Sequence, residues 1–147
     1  MFNEEHIWEY FEGGMQGVKN RLCEQIVSAL ENNPKVDFSK LEEYIGLPSG
    51  LIDKIVHNHL RIQIEFNSQI LQELCIAFRL DMGDIFLMRE LSKEEESDII
   101  DTANAEQFVC MCGAGDEAWS TDSRIELFLI TTALRSIDKE EENATSN

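Results

Sequence analysis

Apolar residues recur at steps of three and four through the first part of the chain, which is the spacing of one face of an α-helix. From Val18 to Glu31 this spacing predicts a first helix, which ends before two asparagines and Pro34. Four shorter helices are predicted to follow, because cap and stop residues divide the next apolar stripes. The second helix, Phe38 to Ile45, follows Asp37 and ends at Gly46. The third follows Pro48 and Ser49 and has Leu51, Ile52 and Ile55 as its apolar positions. Ser68 precedes the fourth helix and Asp81 the fifth.

Two further helices are predicted beyond Glu90, each opened by a Ser with a Glu three residues later, the spacing of a capping box. The first begins after Ser92 and reaches about Cys110, and the second begins after Ser123. The last helix is too apolar to lie bare in water, so it must pack on the rest of the chain, pair with a second copy or meet a partner. Residues 139–147 have no means of burial and are expected to be disordered.

These elements predict an all-α protein, since Val, Thr and Tyr are too sparse and too unpatterned for a sheet. The predicted organisation is an acidic N-terminal extension, 1–17, a helical domain, 18–90, a C-terminal helical segment, 91–138, and a disordered acidic tail, 139–147. The sequence lacks an apolar run of the ~20 residues that a membrane span needs, and its first ten residues carry acids where a signal peptide has bases. We therefore expect no membrane contact and a cytoplasmic location.

Charge is distributed unevenly along the chain. The formal net charge is −17, of which residues 1–18 contribute −4. Residues 19–89 contribute −2 from 8 bases and 10 acids, and residues 90–147 contribute −11 from 4 bases and 15 acids. The middle of the chain is nearly neutral and the flanks are acidic, an asymmetry typical of a solvating surface or an interaction tail.

Several positions fall at the spacing of the buried residues of a helix-turn-helix: Leu41, Gly46, Ile52 and Ile55. The stretch LCIAFRLDMGDIF, with Asp81 in the place of the usual capping Ser, follows at the distance of a closing helix pair. Together they resemble the phage-repressor family (Xre/Cro type, lambda-repressor-like) over about residues 18–90. The resemblance implies a lambda-repressor-like five-helix domain, to which this chain adds an acidic α-helical C-terminal segment. It also implies a transcriptional regulator encoded by a phage or mobile element. We expect this regulator to bind two DNA half-sites as a homodimer, and the apolar last helix, outside the resemblance, to form the dimer.

In that family, the start of the second helix and the exposed side of the third contact phosphates and base edges. The matching positions here are Phe38 on the second helix and Ser49, Gly50, Leu51, Asp53 and Lys54 on the third. Ser49 and Lys54 carry suitable groups, whereas Asp53 would repel phosphate and Leu51 can at best touch a thymine methyl. Further candidates for phosphate contact are Lys35, Lys40, His57, Asn58, His59 and Arg61.

A DNA contact built on so few Lys and Arg side chains would be weak and salt-sensitive, because histidines are mostly neutral near pH 7. An alternative role stays open for Lys54 and Arg61, which can be solvated or paired with neighbouring acids.

Glu42 departs from the family, which usually has a small residue, often Ala, at this place so that the third helix can approach the second. The Glu42 carboxylate is expected to reach solvent or a base such as Lys40 or Lys54, since burying it unpaired would cost several kcal/mol.

In a second interpretation, the protein has the helix-turn-helix fold but does not bind DNA. The acid would then serve a basic, nucleic-acid-binding protein, since acidic patches accelerate association with basic surfaces. Anti-defence and anti-CRISPR proteins and DNA mimics resemble this chain in charge alone. An antirepressor would likewise bind a basic protein. Antitoxins join a DNA-binding domain to a segment that masks a toxin, so they overlap both interpretations. The residues expected to bind a partner are Glu94, Glu95 and Glu96 in the acidic segment and Ile125, Phe128 and Leu129 in the last helix.

Catalytic and metal-binding patterns are missing from the sequence. It has no phosphate-binding Gly-rich loop with its Lys, no His-Glu-x-x-His and no nucleophile beside a positioned base, so we expect neither enzyme activity nor a cofactor. Cys110 and Cys112 form a Cys-Met-Cys pair, but a second Cys/His pair at a finger-like spacing is lacking, and no metal is expected. Cys23 and Cys75 lie inside apolar helical patterns and are predicted to fill the core as free thiols.

Overall fold

The structure is a computed structural model that describes residues 2–58, 67–106 and 121–145, with side chains described over 2–57, 67–106 and 124–139. These residues form eight helices and no strand, so the predicted all-α class is confirmed for them. A 3-10 helix, Glu4–Tyr10, comes first. The α-helices are α1, Gly14–Glu31; α2, Phe38–Ile45; α3, Leu51–Asn58; α4, Ser68–Ala77; α5, Met82–Ile85; α6, Lys93–Ala105; and α7, Thr121–Thr145.

Several helices begin where the sequence places a cap. Asp37 caps α2 and Asp81 caps α5 through side-chain bonds to backbone amides of 3.3 and 2.8 Å. Before α6, Ser92 and Glu95 form both bonds of the predicted capping box, each 3.1 Å long. These predictions are confirmed because a cap acts on amides only two or three residues away, so the local sequence contains both partners.

Three other boundaries differ from the prediction. α1 begins at Gly14 instead of Val18, so part of the N-terminal extension is helical. α4 is capped by Asn67, whose side chain accepts an amide hydrogen bond of 2.8 Å, and Ser68 is its first residue. α6 ends at Ala105, before the predicted end near residue 110.

α7 is longer at both ends than the sequence predicts. It begins at Thr121, so Ser123 lies inside the helix instead of capping it, and it runs to Thr145. Residues 139–145 are therefore helical where a disordered tail is predicted. Lys, Glu and Ala are good helix formers, and a helix that has already formed adds further residues at little cost.

The core is one cluster that draws on all three of the longer predicted segments. Ile7 and Phe11 of the N-terminal extension, Phe86 after α5, and Ile99 and Phe128 of the C-terminal segment are each at most 2% exposed. α7 packs on the 3-10 helix, on α4 and on α6. The two flanking segments thus complete the same core as the five central helices.

The N-terminal extension is fastened to the end of the central segment beside this core. Phe11 and Met88 form an isolated antiparallel bridge. Arg21 of α1 joins the two segments as well, because its Nε donates to the carbonyl of Ile85 at 2.8 Å and its Nη1 to the carbonyl of Glu12 at 2.9 Å.

Candidate functional site

A tight turn joins α2 to α3 and sets how the two helices meet. Gly46 ends α2 in the left-handed conformation, with φ of +88°, as its place in the sequence predicts. The amides of Gly46 and Leu47 both donate to the carbonyl of Glu42 at 2.8 Å, and the Leu47 side chain is buried. Gly50 precedes α3 with φ of +86°. Glycine adopts such angles with little strain, so the sequence Gly-Leu-Pro-Ser-Gly can form this turn.

Glu42 lies between α2 and α3 with 4% of its surface exposed. Its Oε1 accepts from the amide of Gly50 at 3.1 Å, and its Oε2 accepts from the amide of Ile52 at 2.9 Å. The prediction that this carboxylate reaches solvent or pairs with Lys40 or Lys54 is wrong. The first amides of a helix have no partner within it and carry a partial positive charge, so they stabilise a buried carboxylate as a base would.

One side of α3 belongs to the core and the other faces solvent. Ile52 and Ile55 are fully buried, and Leu51 is 9% exposed. The prediction that Leu51 contacts a base edge is therefore wrong, because Leu51 belongs to the apolar stripe with which α3 packs on α1 and α2. The polar side chains that α3 and the turn before it present to solvent are Ser49, Asp53, Lys54 and His57.

Two of these exposed side chains bind each other. Nδ1 of His57 lies 3.0 Å from Oδ1 of Asp53 and 2.9 Å from the Asp53 carbonyl oxygen. Lys40, Ser49 and Lys54 make no side-chain hydrogen bond or ion pair within the described part of the chain. Of the predicted DNA-binding residues in this region, these three have their polar groups available to a ligand.

We call the exposed surface of α2, the turn and α3 the α2–α3 face. Lys40 and Lys54 on this face are matched by Glu43 and Asp53, so it is formally neutral in a chain whose net charge is −17. Tyr44 also stands in it, with 91% of its surface exposed. The sequence alone does not predict that Tyr44 is exposed, because on a helix of 8 residues each apolar side chain can be assigned to the buried side.

The remaining predicted DNA contacts lie at the end of α3 and beyond it. Asn58 is the last residue of α3. The side chain of Asn58, together with His59 and Arg61, lies outside the described residues. Their proposed phosphate contacts stay predictions.

The three glutamates predicted to bind a partner have different environments. Glu95 is already paired, because its Oε2 and Oε1 accept from Arg89 at 2.6 and 3.1 Å and Oε1 also accepts from the amide of Ser92 at 3.1 Å. These bonds, those from Arg89 first, lower the pKa of Glu95 to about 2. Glu94 is exposed and Glu96 is half-buried. The prediction that Glu95 serves a partner is wrong, since its carboxylate is committed to Arg89 and to the start of α6.

The apolar residues predicted to bind a partner are part of the core. Ile125 is 2% exposed, Phe128 1% and Leu129 0%. The prediction is wrong because the 3-10 helix covers this side of α7, where the rings of Phe2 and Phe128 lie 5.4 Å apart. None of these three side chains is available to a second copy of the chain.

The described residues contain no group of three or more His, Cys, Asp or Glu that could hold a metal ion. Cys23 and Cys75 are buried free thiols, as the sequence predicts, and burial raises the pKa of each to about 11. Such thiols are poor nucleophiles near neutral pH. Cys110 and Cys112 lie outside the described residues.

A comparison of the chain with known protein families, curated proteins and solved structures finds no match. Every helix in the described part of the chain is too short or too polar to cross a membrane.

Proposed function

We propose that this protein is a helix-turn-helix transcriptional regulator that binds DNA through the α2–α3 face. The observation that supports the proposal is the junction of α2 and α3, where Gly46 turns the chain in the left-handed conformation and Ile52 and Ile55 bury one side of α3. The junction leaves the polar side of α3 in solvent. Five helices, α1 to α5, occur in the order that the resemblance to phage repressors implies.

The chemistry of the face fits a small number of DNA contacts. Lys40 and Lys54 can neutralise phosphates, and the Ser49 hydroxyl can bond to a phosphate or a base edge. The exposed charges of the face sum to zero and Glu42 adds one buried negative charge, so phosphates are repelled less here than by the acidic flanks of the chain. Two lysine contacts imply a slope of log affinity against log salt of about −2, and hence weak, salt-sensitive binding.

A second candidate function is that of an acidic protein-binding inhibitor, which the surface around Tyr10 favours. Burial raises the pKa of Tyr10, Glu95, Asp98 and Glu9 raise it further and Arg89 lowers it, so three acids and one base act on this ring. Arg89, which lies over the ring, is bound to Glu95, so Glu9 and Asp98 give this surface its net negative charge. An acidic surface of this kind would attract a basic nucleic-acid-binding protein.

A DNA titration separates the two candidates. The purified chain is titrated with labelled random and genomic DNA fragments at low and at physiological salt, and its molar mass is determined on the same sample. Saturable, salt-dependent binding supports the regulator. Absence of binding at low salt overturns it and favours the protein-binding function, which a pull-down with basic proteins then tests.

A matched pair of variants tests the face itself. Lys54→Gln removes a charge from α3, and Lys93→Gln removes one from α6, where the lysine is also exposed. We expect Lys54→Gln to weaken binding and to reduce the salt slope by about 1, and Lys93→Gln to change the slope little. Equal effects of the two substitutions would show that DNA does not bind at the α2–α3 face.

A further inference from the structure

The start of α3 already holds an anion supplied by the chain itself. The amides of Gly50 and Ile52 donate to the two oxygens of Glu42, and the amide of Leu51 donates to the carbonyl of Pro48 at 3.2 Å. Three successive amides at this helix start therefore have acceptors inside the protein. Glu42 is 4% exposed, so its carboxylate is buried between α2 and α3.

The amides at a helix start are the groups that bind phosphate in many proteins, because they point outward and carry the positive end of the helix dipole. A carboxylate offers them the same chemistry as a phosphate, namely charged oxygen acceptors. A group bound there internally excludes an external one, since each amide has a single hydrogen to donate.

We propose that Glu42 is a positioning residue that takes the place of a phosphate at the start of α3. It fixes α3 against α2 and prevents the amides of Gly50 and Ile52 from binding a DNA phosphate. Any DNA contacts of the α2–α3 face are thereby made without these two amides. The consequence for DNA rests on the function proposed above, whereas the exclusion of a phosphate ion from the helix start does not.

Glu42→Ala is the informative variant, because it removes the internal anion and leaves a residue of the size that the phage-repressor resemblance places here. Glu43→Ala is its matched control, since Glu43 is the next residue of α2, carries the same charge and is exposed. Both variants lower the net negative charge equally, so a difference between them reports on the place of the carboxylate.

Two measurements are made on the wild type and both variants. The first is DNA affinity as a function of salt, for which we expect Glu42→Ala to bind more tightly than Glu43→Ala and to steepen the salt slope by about 1. The second is the NMR shift of the Gly50 and Ile52 amides on titration with inorganic phosphate. We expect saturable shifts in Glu42→Ala and none in the wild type or in Glu43→Ala.

The outcomes separate this inference from the proposed function. Phosphate shifts confined to Glu42→Ala, with no DNA binding by any form, would support the role of Glu42 and overturn the DNA-binding function. DNA binding by all three forms, with no phosphate shift and equal salt slopes in the two variants, would overturn the role of Glu42 alone. If circular dichroism shows that Glu42→Ala does not fold, Glu42→Gln is used, because its amide group keeps one acceptor and removes the charge. The same two readouts then decide.

Discussion

Arg89 binds Glu95 through both of its terminal nitrogens, with Nη2 to Oε2 at 2.6 Å and Nη1 to Oε1 at 3.1 Å. The same guanidinium lies over the ring of Tyr10, 5.2 Å from its centroid, and donates from Nε to the carbonyl of Glu9 at 2.7 Å. Arg89 thereby links α6 to the N-terminal 3-10 helix, and the link is strongest while Glu95 is charged.

The stability of the protein is expected to depend on the charge of Glu95 at acid pH. The pKa of Glu95 in the folded chain is about 2, below its ordinary value of 4.5. Its contribution is therefore complete above pH 4.5 and is lost as the pH falls through the folded value near 2. Glu95→Gln is expected to lower the free energy of unfolding at neutral pH by about 1–2 kcal/mol, after allowance for solvent at a partly exposed pair.

Urea denaturation between neutral and acid pH measures this contribution. Glu94→Gln is the control, because Glu94 is exposed and precedes Glu95 directly. We expect Glu94→Gln to follow the pH dependence of the wild type, and Glu95→Gln to lose less stability than either in the acid range. The same acid sensitivity in all three proteins would contradict the role assigned to the pair.

Gly17→Ala is expected to destabilise the protein although alanine favours helices. A Cβ at Gly17 would overlap the carbonyl oxygen of Glu12 and lie 3.1 Å from Nη1 of Arg21, which bonds to that same carbonyl. We expect a loss of about 1–3 kcal/mol in the free energy of unfolding, measured by urea denaturation. Ser28→Ala, at an exposed position of the same helix, should stay within about 0.5 kcal/mol of the wild type.

Arg79→Gly is expected to stabilise the protein. Arg79 follows α4 with φ of +54°, a left-handed conformation that is unfavourable for residues other than glycine. Relief of this strain exceeds the added freedom of glycine in the unfolded chain, so the expected gain is about 0.5–1 kcal/mol. Arg79→Ala removes the same side chain but keeps the strain. If both variants have the thermal midpoint of the wild type, the strain at this residue is not significant.

Asp138 joins α7 to the start of α4. Its Oδ1 accepts from the amide of Ser68 at 3.0 Å, and its Oδ2 accepts from the Ser68 hydroxyl at 2.7 Å. Asp138→Asn keeps the shape but replaces one acceptor oxygen with a donor, so we expect a loss of about 1–2 kcal/mol in chemical denaturation. Asp101→Asn, at an exposed position of α6, serves as the control. A loss of the same size in both variants would mean that the Ser68 contact contributes little.

Local features of the fold are predictable from the sequence, as α2 shows. Its bounds, its Asp37 cap and the left-handed Gly46 after it all follow from residues within a few positions of one another. Features that need a distant partner are not predictable in this way. The apolar stripe of α7 indicates burial, but only the position of Phe2 and the 3-10 helix in space shows that the chain itself covers it.

The candidate site shows the same limit at shorter range. The resemblance to phage repressors marks Glu42 as unusual on α2, yet its partners are amides 8 and 10 residues later. Whether those amides face the carboxylate depends on the turn between them, which fixes the distance and direction of α3. From side-chain types alone, the nearest lysines are the expected partners of this carboxylate, whereas its hydrogen bonds come from backbone amides.

The contact between the 3-10 helix and α7, which are far apart in the sequence, has a consequence for protein synthesis. Glu4 binds Lys139 of α7, 135 residues further along, and Phe2 packs on Phe128. On the ribosome, the 3-10 helix therefore emerges long before the helix that covers it has been made. In that interval the apolar side chains of the 3-10 helix lack their contacts with α7. The glutamates of this helix, Glu4, Glu5 and Glu9, then oppose association of nascent chains, because like charges repel.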